Sequence, residues 1–205
     1  MKTNVNTHGS AETRATIEVP VPGLVVLVGA AGAGKSTFAA RLFTPDEVLS
    51  SDELRAVLSG DASDQRATRT VFGILHREVT TRLASGRLVV VDATNVERSA
   101  RLALVRLAGA AGVPAIAIAL VPDDAEVHAR NRRRPGRFAP PEIVDRHLAA
   151  LRRVGSAAAD LSAALAAEGF AARHVLASAA AIDGVIAVER LRAPSRPVTS
   201  AIDLA

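Results

Sequence analysis

Two glycines, a lysine and a serine stand at the spacing G-x-x-x-x-G-K-[ST] over residues 29–36, directly after an apolar run over 24–28 that is typical of a buried strand. Glycines let the backbone turn several N–H groups toward one anion, and a helix opening at Lys35 points its positive dipole end at the same place. In this pattern the lysine reaches the β and γ oxygens of a triphosphate, and the Ser36 hydroxyl holds Mg²⁺. The segment predicts binding of ATP or another nucleoside triphosphate with Mg²⁺; a glycine-rich turn without a ligand is the alternative. The residues expected to contact the nucleotide here are Gly29, Gly32, Ala33, Gly34, Lys35, Ser36 and Thr37.

A carboxylate follows the second predicted strand, which covers residues 47–50. The chain continues into Ser51 and Asp52, with Arg55 about one helical turn further on. Ligands of a parallel sheet lie outside the carboxyl ends of its strands, so Asp52 would face the phosphate loop. Phosphoryl transfer needs a group that orients the acceptor hydroxyl, and Asp52 could accept its proton. The alternative is that Ser51 or Asp52 only caps the helix that stops at Gly60.

A second carboxylate, Asp92, follows the predicted strand over 88–91. Phosphate-loop enzymes often keep a carboxylate at this position that orders Mg²⁺ or its waters. Asp92 is therefore expected in the metal shell with Ser36. The next residues carry a structural signal of their own, because Thr94 and Glu97 have the spacing of a helix capping box.

Five arginines lie between residues 130 and 137, a density that is costly by self-repulsion unless anions are near. Arg130 and Arg134 are four apart and share a helix face, and the Pro-Gly pair at 135–136 breaks the helix. This pattern fits a lid whose arginines neutralise charge on a transferring phosphoryl group. A solvated face or a general nucleic-acid patch is the alternative, and spacing alone does not choose Arg134 over Arg133. The five are Arg130, Arg132, Arg133, Arg134 and Arg137.

Short β-branched runs alternate with helical stretches, which predicts an α/β fold with a parallel sheet of about five strands and helices on both faces. Residues 17–192 form the predicted domain, and 1–16 and 193–205 are predicted to be flexible tails. The predicted strands are 24–28, 47–50, 88–91, 115–121 and 173–177, and the predicted helices are 35–42, 52–58, 66–85, 97–111, 123–133, 141–168 and 182–191.

Composition narrows the class of protein. The 205 residues suit one domain, and the absence of cysteine excludes disulfides and thiolate metal sites. No apolar N-terminal stretch resembles a signal peptide, and the longest apolar run, over 113–121, is too short to span a bilayer, so we expect a cytoplasmic protein that does not enter membranes. The net charge of +4 suits a polyanionic partner, but the excess is modest. With no Trp or Tyr and five Phe, nucleic-acid contacts would rest on arginine and phosphate.

The order of these motifs resembles the kinase domain of bacterial polynucleotide kinase-phosphatases, the 5′-OH polynucleotide kinases of RNA repair. The similarity extends from about Val19 to Arg190. It rests on the phosphate loop, on Ser50-Ser51-Asp52 with Arg55, on Asp64-Gln65, on Val91-Asp92-Ala93-Thr94-Asn95 and on Arg130-Asn131 with Arg134. The resemblance implies a P-loop NTPase fold like that of nucleoside-phosphate kinases, with an arginine-rich lid.

The resemblance also implies roles for single residues. Asp52 would be the general base for the 5′-hydroxyl of an RNA or DNA end. Arg55 would bind the phosphate 3′ of the acceptor nucleoside, and Arg130 and Arg134 would be the lid pair on the ATP phosphates. Lys35 would act with these residues in catalysis.

One departure from the family pattern concerns the rest of the chain. In the repair proteins a metallophosphatase and a ligase-like module usually follow, and this sequence shows none of the Asp/His metal motifs of a phosphatase. The chain is expected to be a stand-alone kinase or a fragment of a larger repair protein. A sugar, antibiotic or nucleotide-type small-molecule kinase and an ATP-binding switch protein stay open as alternatives, as does association into a homo-oligomer.

Overall fold

The computed structural model describes residues 14–59, 68–133, 138–155 and 157–192. Asp64-Gln65, Arg134, Pro135-Gly136 and Arg137 lie outside the described residues, as do 1–13 and 193–205. In chain order the strands are β1 (Ala15–Val21), β2 (Gly23–Val28), β3 (Val48–Ser50), β4 (Leu88–Asp92), β5 (Ala115–Leu120), β6 (Ala172–Leu176) and β7 (Val185–Arg192). The helices are α1 (Lys35–Leu42), α2 (Ser51–Ser59), α3 (Thr68–Ala84), α4 (Arg98–Ala110), α5 (Asp124–Arg132), α6 (Pro141–Val154), α7 (Ala158–Ala167) and α8 (Ala179–Gly184).

A five-stranded parallel sheet with strand order β3-β4-β2-β5-β6 forms the centre of the structure. Strands β2, β4 and β5 are buried along their whole length, which explains why each reads as a continuous apolar run. Helices flank the sheet. The predicted α/β fold and all five predicted strands of this sheet are confirmed.

The strand order places the phosphate loop at the point where the chain changes direction across the sheet. From β2 the chain first builds β3 and β4 on one side and then crosses to β5 on the other. The crevice at the carboxyl end of β2 is therefore the usual ligand position of an open α/β sheet. Ser50 at the end of β3 lies opposite Asp92 at the end of β4, so the predicted site residues leave the sheet at one edge.

A second, two-stranded sheet was not foreseen. The predicted helix over 182–191 is wrong: α8 ends at Gly184, and β7 then pairs in parallel with β1. Val185 is buried in one cluster with Ile17 and Val19 of β1, and with Val25 and Leu27 of β2. The β-branched residues of both strands thus cover the face of the central sheet that α1 also covers.

The predicted helix over 141–168 is two helices. Gly155 ends α6 in an extended conformation, and a Cβ there would lie 2.2 Å from the Asp160 Cβ. The Ala157 amide donates to the Asp160 carboxylate at the start of α7. None of the helices within the described ranges is long and apolar enough to cross a membrane.

Candidate active site

The phosphate loop lies in close contact with β5 and α5. Gly32 has φ +88°, and a Cβ there would lie 2.5 Å from the Val127 carbonyl oxygen. Gly34 has φ +96° and precedes α1 without a side-chain cap, so the N-terminus of this helix keeps the geometry in which an anion binds. Glycine is therefore required in the loop both for its positive φ angles and because there is no room for a Cβ at Gly32.

Lys35 brings a positive charge into the loop. Its side chain is buried, and Nζ donates to the carbonyl oxygens of Gly29 at 2.9 Å and Ala30 at 2.8 Å. The ammonium is thus fixed beside the helix N-terminus by the loop itself. Nothing in the first turn of α1 is acidic, so the helix N-terminus and the Lys35 ammonium both attract an incoming anion.

The segment after β4 is fastened to the phosphate loop. The Gly29 amide donates to the Thr94 carbonyl at 2.9 Å, and Asn95 Nδ2 donates to the Leu27 carbonyl at 2.8 Å. Asn95 has φ +47°, a conformation that asparagine tolerates better than most residues. The predicted Thr94 capping box is wrong, because α4 starts at Arg98 with Glu97 as the N-cap position and without a side-chain cap. This segment instead locates Asp92, which is 6% exposed at the end of β4.

Arg101 is a positioning residue that the sequence motifs did not indicate. It is fully buried, and its Nε and Nη2 each lie 2.7 Å from a carboxylate oxygen of Glu168. Its Nη1 donates to the carbonyl oxygens of Asn95 at 3.0 Å and Val96 at 2.8 Å. The pair therefore holds the segment that follows Asp92. The available signal was an arginine on the buried face of α4, three residues before Leu104.

Asp52 and Arg55 form an ion pair within α2, with Nη1 2.9 Å from Oδ1. The Asp52 side chain is 34% exposed, whereas Arg55 is buried. The hydroxyl that accepts from the Glu53 amide at the start of α2 belongs to Ser50, at 3.3 Å, and not to Ser51 as the capping alternative had it. The structure thus brings the two predicted acceptor residues together beside the end of β3.

Arg130 reaches the phosphate loop from α5. Its Nη1 lies 3.5 Å from the Ala33 carbonyl and 3.0 Å from where a Cβ on Gly34 would stand, and its Nη2 pairs with Glu126 at 2.6 Å. Asn131 is buried and exchanges two hydrogen bonds with the backbone of Ala139, at 2.7 and 3.2 Å. Of the two predicted lid arginines, only Arg130 belongs to the described residues, so the lid as a whole stays a prediction.

A cleft of about 490 Å³ opens beside the loop. It is bounded by α1, by the arginine side of α5 and by α8, and Arg41 joins two of these elements by donating to the Ile182 and Asp183 carbonyls. Its lining includes Gly32, Gly34, Lys35, Ser36, Thr37, Arg41, Arg130, Arg133, Ile182 and Asp183.

His147 contacts the loop from α6, and no role was predicted for it. The Ala31 amide donates to its Nδ1 at 3.4 Å. Burial, with the nearby charges of Lys35 and Arg146, lowers the pKa of His147, and Glu97 opposes this shift. The ring is therefore neutral near pH 7, which its acceptor role at Nδ1 requires. Among the residues that the structure describes, no three His, Asp or Glu side chains are grouped as a protein-only metal site would need.

These features define an α/β domain with a phosphate-binding loop at the switch point of a parallel sheet, a P-loop kinase-like domain. The family model described as "AAA domain" matches residues 24–157, more than half of the chain, and the protein belongs to this family. No curated protein matched the sequence.

Solved structures share the fold. A chain of the Pnkp1/Rnl/Hen1 RNA repair complex is 23% identical with a TM-score of 0.57; the match covers 70% of this chain and 47% of that one, so this chain spans about half its length. Kti12 from Chaetomium thermophilum, solved with ADP-AlF3, is 15% identical with a TM-score of 0.57, covering 80% of this chain and 95% of that one. At these identities the likeness concerns the fold.

Substituting Gly32 by alanine tests the geometry of the loop. The positive φ and the contact with Val127 predict that Gly32→Ala lowers the free energy of unfolding by about 1–3 kcal/mol and weakens ADP binding. Gly73→Ala is the matched control, because Gly73 lies within α3 with nothing near its Cβ position, and should stabilise by about 0.5–1 kcal/mol. Urea unfolding and calorimetric ADP titration measure both; equal effects of the two substitutions would contradict the account.

Removing Arg101 tests the buried ion pair. Arg101→Met leaves the Glu168 carboxylate buried without its partner and should cost about 3–5 kcal/mol of unfolding free energy. The double variant Arg101→Met/Glu168→Leu should regain most of this, yet remain destabilised by about 1–3 kcal/mol because the Asn95 and Val96 carbonyls lose their donor. Chemical denaturation of the wild type, the single variant and the double variant measures these differences. A double variant no more stable than Arg101→Met would contradict the ion pair as described.

Proposed function

We propose that this chain transfers the γ-phosphoryl group of ATP to the 5′-hydroxyl of a polynucleotide, with Mg²⁺ as the metal ion. The observation that carries the proposal is the Asp52–Arg55 pair in the first turns of α2, directly after β3. The partly exposed Asp52 carboxylate could accept the proton of the acceptor hydroxyl, and Arg55 could bind the phosphate 3′ of the acceptor nucleoside. The motif order resembles that of 5′-OH polynucleotide kinases, and a chain of an RNA repair complex shares the fold.

The donor half of the reaction rests on the loop. The phosphates of ATP would lie against the N–H groups at the start of α1 and the Lys35 ammonium. The cleft beside α8 has room for the nucleoside, and Arg130 lies between cleft and loop. Lys35 and Arg130 would neutralise charge that develops on the γ-phosphoryl oxygens, with Arg134 as the second arginine of the predicted lid.

The residues near the loop fit Mg²⁺. The Ser36 hydroxyl and the Asp92 carboxylate offer oxygen ligands, which Mg²⁺ prefers, and the remaining positions would be filled by phosphates and water. Asp92 is buried, and no ion pair links it to another described residue, so a cation would compensate its desolvation. When bound, the metal would neutralise charge that develops on the phosphates during transfer.

In the transfer step the acceptor oxygen attacks the γ-phosphorus, the bond from that phosphorus to the β–γ bridging oxygen breaks, and ADP leaves with the bond's electron pair. The hydroxyl proton passes to a carboxylate oxygen of Asp52. Arg55 holds this carboxylate through Oδ1, so Asp52 approaches the acceptor in one orientation. The segment 92–96, fastened by Arg101, keeps Asp92 at its distance from the loop.

Asp52→Asn should slow turnover strongly without affecting nucleotide binding. The amide keeps the shape of the side chain but cannot accept the proton, so we expect kcat to fall by about 10²–10⁴-fold with unchanged ADP affinity. Glu53→Gln is the control, since this exposed neighbour on α2 plays no part in the step. Transfer of γ-labelled phosphate to a 5′-OH oligonucleotide is the assay. Wild-type transfer by Asp52→Asn would exclude Asp52 as the base, whereas no transfer by the wild type despite ADP binding would favour a nucleotide switch.

Arg55→Lys tests whether the acceptor carries a phosphate. Lysine keeps the positive charge but cannot donate two parallel hydrogen bonds to the proposed acceptor phosphate. The substitution should therefore lower kcat/KM for a nucleoside 3′-monophosphate by about 10–100-fold more than kcat/KM for the plain nucleoside. The ratio of the two kcat/KM values is independent of any displacement of Asp52 in the variant, because such a displacement would affect both acceptors equally. An unchanged ratio would favour a small acceptor without phosphate, such as a sugar.

A further inference from the structure

Three arginines beside the phosphate loop have no part in the proposed reaction. Arg98 lies at the start of α4, and Arg146 and Arg153 lie on α6. We name them the α4–α6 arginine surface. All three are exposed: the side chains of Arg98 and Arg153 are 67% and 68% accessible.

The contacts show that these arginines form one surface next to the loop. Arg146 and Arg153 are seven residues apart, two turns on the same side of α6. Arg153 Nη2 lies 3.9 Å from Glu97, the residue before Arg98. His147, the neighbour of Arg146, accepts from the Ala31 amide of the loop, and its pKa is influenced by Lys35, Arg146 and Glu97 together. The surface therefore lies next to the phosphate loop.

The surface is positively charged overall. Arg98 lies 3.8 Å from Glu168, but that carboxylate already accepts two shorter bonds from Arg101. Glu97 is 62% exposed and 3.9 Å from Arg153, a separation at which an exposed pair contributes little. Asp145 contacts His128 instead. The three arginines and Lys35 thus outweigh the three exposed carboxylates of Glu97, Glu142 and Asp145, and an anionic ligand would relieve their repulsion.

We propose that the α4–α6 arginine surface binds the phosphodiester backbone of the acceptor strand beyond its 5′-terminal nucleotide. The inference rests on the proposed function, since that function puts the 5′ end between Asp52 and the loop. Arg146 and Arg153 stand about 10 Å apart along the helix, the length of roughly three stacked nucleotides. Without Trp or Tyr in the chain, contacts to phosphate rather than to stacked bases explain affinity, so binding is independent of sequence.

A binding measurement tests the surface directly. A 12-nucleotide RNA with a 5′-hydroxyl and a 3′ fluorophore is titrated with the full chain at several salt concentrations, and the DNA of the same sequence runs in parallel. Arg146→Glu/Arg153→Glu should raise Kd at least tenfold and reduce the slope of log Kd against log salt by about 1.4, at 0.7 for each single-strand phosphate contact. Arg106→Glu reverses the charge of an exposed arginine near the other end of α4; it is the control and should leave both the Kd and the salt slope close to those of the wild type.

A second readout separates this inference from the proposed function. Phosphotransfer to the 12-mer should lose efficiency through KM in the double variant, whereas transfer to a nucleoside 3′-monophosphate should not change. Equal Kd values and salt slopes for the double variant and Arg106→Glu would overturn the surface while leaving the kinase proposal standing. RNA binding lost in the double variant, together with no transfer by the wild type, would support the surface and overturn the kinase proposal.

Discussion

The structure depends on keeping a set of backbone N–H groups and one buried ammonium aimed at an anion. The sheet provides the framework, because the chain reverses its direction across the sheet at β2 and leaves a crevice there. Close backbone contacts fix the loop in that crevice: Gly32 against Val127, and Gly29 against Thr94. Such a site needs little reorganisation when phosphates arrive, which is where electrostatic stabilisation is most effective.

Buried charges in this protein serve to hold segments in place. A fully buried arginine–glutamate pair is rarely more stabilising than apolar residues of the same size. Its contribution here is to fix the position of the backbone groups that it bonds. Arg101 bonds the Asn95 and Val96 carbonyls and so fixes the segment behind Asp92. At the neighbouring strand exit the buried Arg55 pairs with the Asp52 carboxylate within α2. Both carboxylates of the proposed site thus stand on rigid supports, and the arginines of α4 and α6 extend the same positive field outward.

Residues near the loop were predictable because local patterns determine them. The phosphate-loop spacing, the buried apolar runs and the strand-end carboxylates each depend on a few consecutive residues. These patterns predicted the strands β2 to β6, and they put Lys35, Asp52 and Asp92 at the carboxyl ends of the strands. The residues whose structure or role was missed altogether depended on distant partners. The residues of β7 read as a helix because their pairing with β1, some 170 positions away, cannot be seen locally. Arg101 and His147 acquire their meaning only from Glu168 and Ala31 across the fold.

The most direct test of the central claim is to identify the product formed by the wild-type chain from γ-labelled ATP, Mg²⁺ and a 5′-OH RNA oligonucleotide. After digestion to single nucleotides, the account predicts label solely in the 5′-phosphate of the first nucleotide, and none when the oligonucleotide already carries a 5′-phosphate. ATP binding without any labelled RNA, or label that appears equally on a 5′-phosphorylated oligonucleotide, would contradict it.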